Sequence, residues 1–161
     1  IRLAMDFEQI YKEYSGKIYR VCLSYINDVD LAKDLTQETF ITVWQSLDLF
    51  RNEAALGTWI YKIAANKCLR QLEVDKRKSK KDIQIEQPET NEDEKEDKHL
   101  FLRQCIAQLP EVERLIIGLY LESVPQEQIA TVIGISHNNV RVKIHRIKET
   151  LTKKFEEHGA F

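Results

Sequence analysis

Along most of this chain apolar residues recur at intervals of three and four, the spacing that gives a helix one buried face. Phe7, Ile10, Tyr11, Tyr14, Ile18, Val21, Cys22 and Tyr25 form the first such run, and Asp6 stands where it can cap it. Gly16 inside the run weakens that helix by about 1 kcal/mol. Asn27-Asp28 interrupts the pattern, and Asp28 can cap a second helix reaching roughly to Leu49, with Leu31, Ala32, Leu35, Val43 and Leu47 inward. Phe50 to Thr58 reads as a loop broken at Gly57. Thr58 then caps a third helix carrying Trp59, Ile60, Ile63, Ala64, Leu69 and Leu72. A short helix from Leu100 to Leu109 stops at Pro110, which opens another with Val112, Leu115, Ile116 and Leu119 on one face. Pro125 starts a third helix of this group, bearing Ile129, Ala130 and Ile133. Gly134 is placed for the left-handed conformation that ends a helix, and Ser136 for the cap of the next. Val140, Ile144, Ile147 and Leu151 complete the series. The pattern predicts an all-α chain whose last two helices form a helix-turn-helix.

Residues 82–98 fall outside the pattern. Their centre, Glu86 to Asp97, is polar and acidic with one proline, which is the composition of a flexible linker. The expected organisation is two small helical domains, 1–81 and 99–161, joined by an acidic tether. Charge follows the same division: the net formal charge is −2 overall, but residues 1–81 carry +3, residues 82–98 carry −6 and residues 99–161 carry +1. Neither domain is basic enough for strong unaided DNA binding, which depends on neutralised phosphates. The longest apolar run, Leu115 to Leu121, is far short of a membrane span, and the opening residues carry no signal-peptide pattern. Three cysteines without paired spacing point to a reducing compartment, here the cytoplasm. Four scattered histidines give no metal spacing. No phosphate loop, nucleophile elbow or other catalytic constellation appears, so neither an enzyme nor a cofactor or small-molecule substrate is expected.

Three polar faces remain. On the last helix Asn138, Arg141, Val142, His145 and Arg146 point away from the buried stripe, with Lys143 and Lys148 at the flanks. Asn and Arg can pair with adenine and guanine edges, and an outward Val can touch a thymine methyl, as a helix in a major groove requires. A plain amphipathic surface helix would also look basic here; the Gly-turn-Ser joint and the outward Val favour the first reading. On the second helix Asp34, Gln37, Glu38 and Ile41 share one arc. It suits docking of a basic partner and equally suits a solvated face. On the third helix Tyr61, Lys62, Asn66, Lys67 and Arg70 lie among the apolar positions, offering stacking surfaces and charge to single-stranded nucleic acid. Trp59 reads as part core and part reader. The basic run Lys76 to Lys81 suits phosphates or solvent alike.

Two motifs together resemble one family. Asp34-Leu-Thr-Gln-Glu-Thr-Phe40 and Thr58-Trp-Ile-Tyr-Lys-Ile-Ala-Ala-Asn66 are similar to the second region of bacterial sigma-70 factors. Leu109-Pro110, Arg114 and the stretch from Gln128 to Arg146 are similar to the fourth region. With only these two regions and a short linker, the chain resembles the extracytoplasmic function (ECF) subgroup from about residue 6 to residue 156. The resemblance implies promoter recognition and DNA opening in company with core RNA polymerase. It places Asp34, Gln37, Glu38 and Ile41 on the polymerase. The loop with Phe50, Arg51 and Asn52 would capture a flipped base of the −10 element, and Trp59, Tyr61, Lys62, Asn66 and Arg70 would line the same strand. Asn138, Arg141, Val142, Lys143, His145 and Arg146 would read the −35 element, with Arg114 near its phosphates. It further implies a membrane-anchored anti-sigma protein as inhibitor. Gln126-Glu127-Gln128 departs from the aromatic and paired acids common in the family, and Val142 and His145 hold variable specificity positions, so neither box sequence carries over. Two other classes fit the bare residues: a stand-alone helix-turn-helix regulator, which would bind duplex unaided, and a helical adaptor with no DNA role. A coil-like tether from Ile83 to Lys98 spans roughly 20–24 Å, or roughly 55 Å fully extended.

Overall fold

The computed structural model describes residues 6–50, 55–78 and 94–159. Among them are seven α-helices and one 3-10 turn: α1 (Phe7–Ile26), α2 (Val29–Ser46), the turn Leu47–Leu49, α3 (Leu56–Lys78), α4 (Glu94–Ala107), α5 (Glu111–Leu121), α6 (Gln126–Ile133) and α7 (His137–His158). The described residues are all-α, as the periodicity predicts.

Caps fix most of the boundaries. Asp6 accepts the Gln9 N–H at 2.9 Å while the Gln9 side chain accepts the Asp6 N–H at 3.2 Å, a reciprocal box that starts α1. Asn27 ends α1 in the left-handed region at φ 54°, and its N–H reaches the Leu23 carbonyl. Asp28 then accepts the Leu31 N–H at 3.0 Å and opens α2. Gly134 closes α6 at φ 85°. A Cβ there would meet nothing within 4 Å, so any penalty for a side chain is conformational. Gly134→Ala is expected to lower stability by about 1–2 kcal/mol. Urea denaturation monitored by circular dichroism checks this, with Gly134→Asn expected to fall between the two because Asn tolerates the left-handed region.

Helices α1–α3 enclose Ile10, Ile18, Val21, Cys22, Leu35, Val43, Ile60, Ala64 and Cys68. Helices α4–α7 enclose Ile106, Leu115, Ile116, Leu119, Ile129, Val140, Ile144 and Ile147. The two units do not stand apart: α1 packs on α5 and α4, α3 packs on α6, and the buried residues of both form one apolar cluster. Gly118 of α5 lets the backbones approach closely, since a Cβ there would lie 3.1 Å from Ser24 Cβ and 3.6 Å from Val21 Cα. All three cysteines are free and buried.

Several local expectations are corrected. Helix α3 begins at Leu56, so Gly57 lies inside it and Thr58 is a buried residue of its first turn, not its cap. Gly57 is where Tyr14 approaches: a Cβ there would sit 3.0 Å from the phenol oxygen. Helix α4 starts at Glu94 and not near Leu100, because an acid-rich stretch suits a helix N-terminus. Residues 94–98 of the expected linker are therefore helical, and the rest of it, 82–93, lies outside the described residues. Val112 is 38% exposed, and Ile117 at 2% takes its place in the buried face of α5.

Candidate nucleic-acid interface and docking face

The helix-turn-helix is built from its buried side outward. Val140, Ile144 and Ile147 anchor α7 against the unit's core. Ser136 accepts the Asn139 N–H at 3.1 Å and sets where the helix begins. The opposite face then presents Asn138, Arg141, Val142, His145 and Arg146 to solvent, with Lys143 half-buried beside them. Arg141 donates from Nη2 to Asn138 Oδ1 at 2.8 Å, so two groups able to read base edges are held together. His145 Nε2 lies 3.0 Å from Glu149 Oε1. Lys148 sits with its ammonium 4.5 Å from the centre of the Tyr120 ring, which ties α7 to α5.

On α3, Lys62, Asn66 and Arg70 are exposed at successive intervals of four and form one polar, basic stripe. Trp59 is half-buried and stacks on Phe50, with ring centroids 4.8 Å apart and planes at 28°. Arg51, Asn52 and the end of the basic run beyond Lys78 lie outside the described residues. Tyr61 is not on the stripe. It is only 5% exposed, its ring meets Tyr14 edge-on at 6.1 Å, and burial with the nearby Glu122 carboxylate pushes its phenol up to about 12.

Arg114 is likewise turned inward. Its Nε donates to the Tyr25 carbonyl at 3.0 Å and its Nη1 to the Leu109 carbonyl at 2.8 Å, while the guanidinium lies 5.1 Å from the Tyr25 ring centre. It joins the ends of α1 and α4 and is not part of the α7 surface.

On α2, Asp34, Gln37 and Glu38 are exposed beside Ile41, which is 56% exposed. The same arc continues to Trp44, 65% exposed, whose ring meets Phe7 edge-on at 5.1 Å. Tyr11 packs on Phe40 at 5.0 Å next to it. Sequence reasoning missed Trp44. Its spacing of three from Ile41 and seven from Gln37 put it on that arc and was the available signal. Acids bordering an uncovered aliphatic and aromatic surface suit a partner helix with basic and apolar side chains.

No cluster of His, Cys, Asp or Glu side chains fit to hold a metal occurs among the described residues, and no described helix is long and apolar enough to cross a membrane.

Comparison with known proteins gives this arrangement its class. Residues 10–78 match Sigma-70 region 2, and residues 101–151 match Sigma-70, region 4. The chain belongs to the sigma-70 family of transcription initiation factors. Within that family it falls in the ECF subgroup. It is 28% identical to the ECF RNA polymerase sigma factor SigW of Bacillus subtilis, over 94% of this chain and 89% of that protein. It is 29% identical to the ECF RNA polymerase sigma-E factor of Haemophilus influenzae, over 93% and 87%. The RNA polymerase sigma-H factor of Pseudomonas aeruginosa is 28% identical over 93% and 86%. The fold is shared with the sigma factor RpoE of Bartonella quintana, solved in complex with the anti-sigma factor NepR. That match has a TM-score of 0.78, 19% identity, and covers 95% of this chain and 98% of the other.

Proposed function

We propose that this chain docks on core RNA polymerase through α2 and selects promoters with two heads, α3 for the −10 element and α7 for the −35 element. The observation that carries the reading is the two-sided build of α7. One side is locked into the core by Val140, Ile144 and Ile147, and the other offers Asn138, Arg141, Val142, His145 and Arg146 together. A rigid helix with such a face fits the major groove. Lys62 and Arg70 supply positive charge for the backbone of the melted strand, Asn66 between them a hydrogen-bonding amide, and the Phe50–Trp59 pair a stacking surface beside them. Asp34, Gln37, Glu38, Ile41 and Trp44 supply the polymerase contact.

The work is binding throughout. Unstacking and unpairing cost a few kcal/mol per flipped base, offset by base capture and stacking. The chain acts without catalysis of its own, in the cytoplasm where the polymerase works. The two boxes, about 17 base pairs apart, are separated by about 58 Å. A net charge of −2 fits a factor carried to DNA by a larger partner. A membrane-anchored anti-sigma protein is the expected inhibitor; that this fold is solved in complex with the anti-sigma factor NepR and with the cytosolic domain of CnrY supports an anti-sigma partner.

Run-off transcription with core enzyme on a promoter library tests the reading: start-site choice that depends on this chain is the expected result, and its absence ends the proposal. On the selected promoter, Arg141→Ala is expected to lower discrimination at one upstream-box position by about 1–3 kcal/mol, a five- to 150-fold loss. Competition binding of the holoenzyme to single-base variants of that box measures it. A uniform loss across all positions would reassign Arg141 to the phosphates.

A further inference from the structure

We infer that Cys22 and Cys68 form a modification site: hydrogen peroxide joins them in a disulfide that staples α1 to α3 and makes the unit holding α2 harder to unfold. The inference is independent of which DNA the chain reads.

The two sulfurs come to one core from different helices. Cys22 lies on α1 and Cys68 on α3, 46 positions apart in the chain. Both are fully buried, as are Ile18 and Val21 of α1 and Ala64 and Ala65 of α3. The Cys68 thiol donates to Cys22 Sγ at 3.6 Å. A disulfide holds its sulfurs about 2.0 Å apart, so about 1.6 Å separates the contact from the bond. Small turns of the two χ1 angles and a slight shift of α1 on α3 cover that gap. Packing alone does not call for sulfur here, because a buried free cysteine fills space as any small apolar residue does. What a pair of alanines or valines could not supply is a bond. Cys105, buried on α4, makes no sulfur contact among the described residues.

The site is quiet at rest. The hydrogen bond to Cys22, and after it burial, hold the Cys68 thiol well above the usual thiol range. The thiolate is the reactive form, and a reducing compartment keeps both sulfurs as thiols. Hydrogen peroxide is small and uncharged, and local opening of the helices admits it. Cys68 keeps its proton and turns it toward Cys22, so Cys22 reacts first. The Cys22 thiolate attacks one peroxide oxygen and the O–O bond breaks. The departing hydroxide takes up the proton that Cys22 gave up and leaves as water. Cys22 is then a sulfenic acid. Cys68 Sγ attacks it: the S–S bond forms, the S–O bond breaks, and a second water leaves with the Cys68 proton. Two thiols and one peroxide give one disulfide and two waters, with two electrons passed from the sulfurs to the peroxide. The new bond closes a loop that contains all of α2, which restricts the unfolded chain far more than the folded one. Proteases cut the opened chain, so rarer opening means slower cutting.

The test uses the full chain and hydrogen peroxide. Intact mass spectrometry after treatment is expected to show the loss of two hydrogens. A non-reducing peptide map is expected to join the Cys22 and Cys68 peptides, and dithiothreitol to part them. The oxidised wild type is expected to melt about 5–15 °C above the reduced one. Trypsin cutting within α2 is expected to slow at least about tenfold. These readings need no variant. Cys105→Ser is expected to leave them all unaltered. Cys22→Ala and Cys68→Ala are each expected to abolish the joined peptide and both gains, with helix content retained by circular dichroism. Oxidation that stops at sulfinic acid with no joined peptide, a disulfide through Cys105, or a joined chain with an unaltered or lower Tm would each overturn the staple.

Discussion

Glu38→Lys is expected to weaken binding to core RNA polymerase at least thirtyfold while leaving the fold intact. Glu38 is exposed on α2, between Asp34 and the apolar pair Ile41 and Trp44. Reversing a charge at the centre of the proposed docking face both removes an attraction and juxtaposes like charges, a change of about 2–5 kcal/mol where the site is desolvated on binding. The free chain gains no unpaired buried group from the substitution, so its stability is expected to stay within about 0.5 kcal/mol of the wild type. Fluorescence anisotropy of labelled chain titrated with core enzyme measures the first effect, and urea denaturation the second. Unaltered polymerase affinity in a folded variant would move the docking site off this arc.

The second large effect is on stability. Ile144 is 2% exposed in the middle of α7 and sits on the turn of helix that joins Val140 to Ile147. Ile144→Ala removes three carbons from a packed site and is expected to lower the stability of α4–α7 by about 2–5 kcal/mol. Val142→Ala, two residues away, is expected to have almost no such effect, because Val142 is 37% exposed. The contrast separates the two faces of one helix by calorimetry or denaturation, without reference to DNA. Comparable losses at both positions would mean that the face assigned to the −35 element is instead packed.

The helices were legible where apolar spacing and cap chemistry agree. Asp6, Asp28, Gly134 and Ser136 each have a short-range physical role that any chain would express in the same way, and each stands where that role predicts. Gly57 and Thr58 misled because a local rule was overruled from a distance. Tyr14, more than forty residues earlier, occupies the space a side chain at 57 would need, so glycine serves contact there and not chain breaking. The start of α4 was obscured because the acids that mark a tether also favour a helix's first turn.

The polar faces were legible in proportion to their exposure. Asn138, Arg141 and the acids of α2 face solvent, so helical spacing alone locates them. Tyr61 and Arg114 could not be placed that way, because their surroundings come from other helices: Tyr61 meets Tyr14 of α1, and Arg114 bonds the carbonyls of Tyr25 and Leu109. The Arg20–Glu122 pair joins residues 102 positions apart, and no single helix's periodicity contains that information.

The uncovered side of α2 has one more consequence. Ile41 and Trp44, with Tyr11 at 45% exposure alongside, leave an oily ridge in contact with water. Such ridges invite self-association when nothing caps them. The amount of this protein a cell can hold in solution is therefore bounded by the supply of molecules that cap it. Synthesis beyond that supply is expected to raise self-association of the chain, which light scattering against concentration measures.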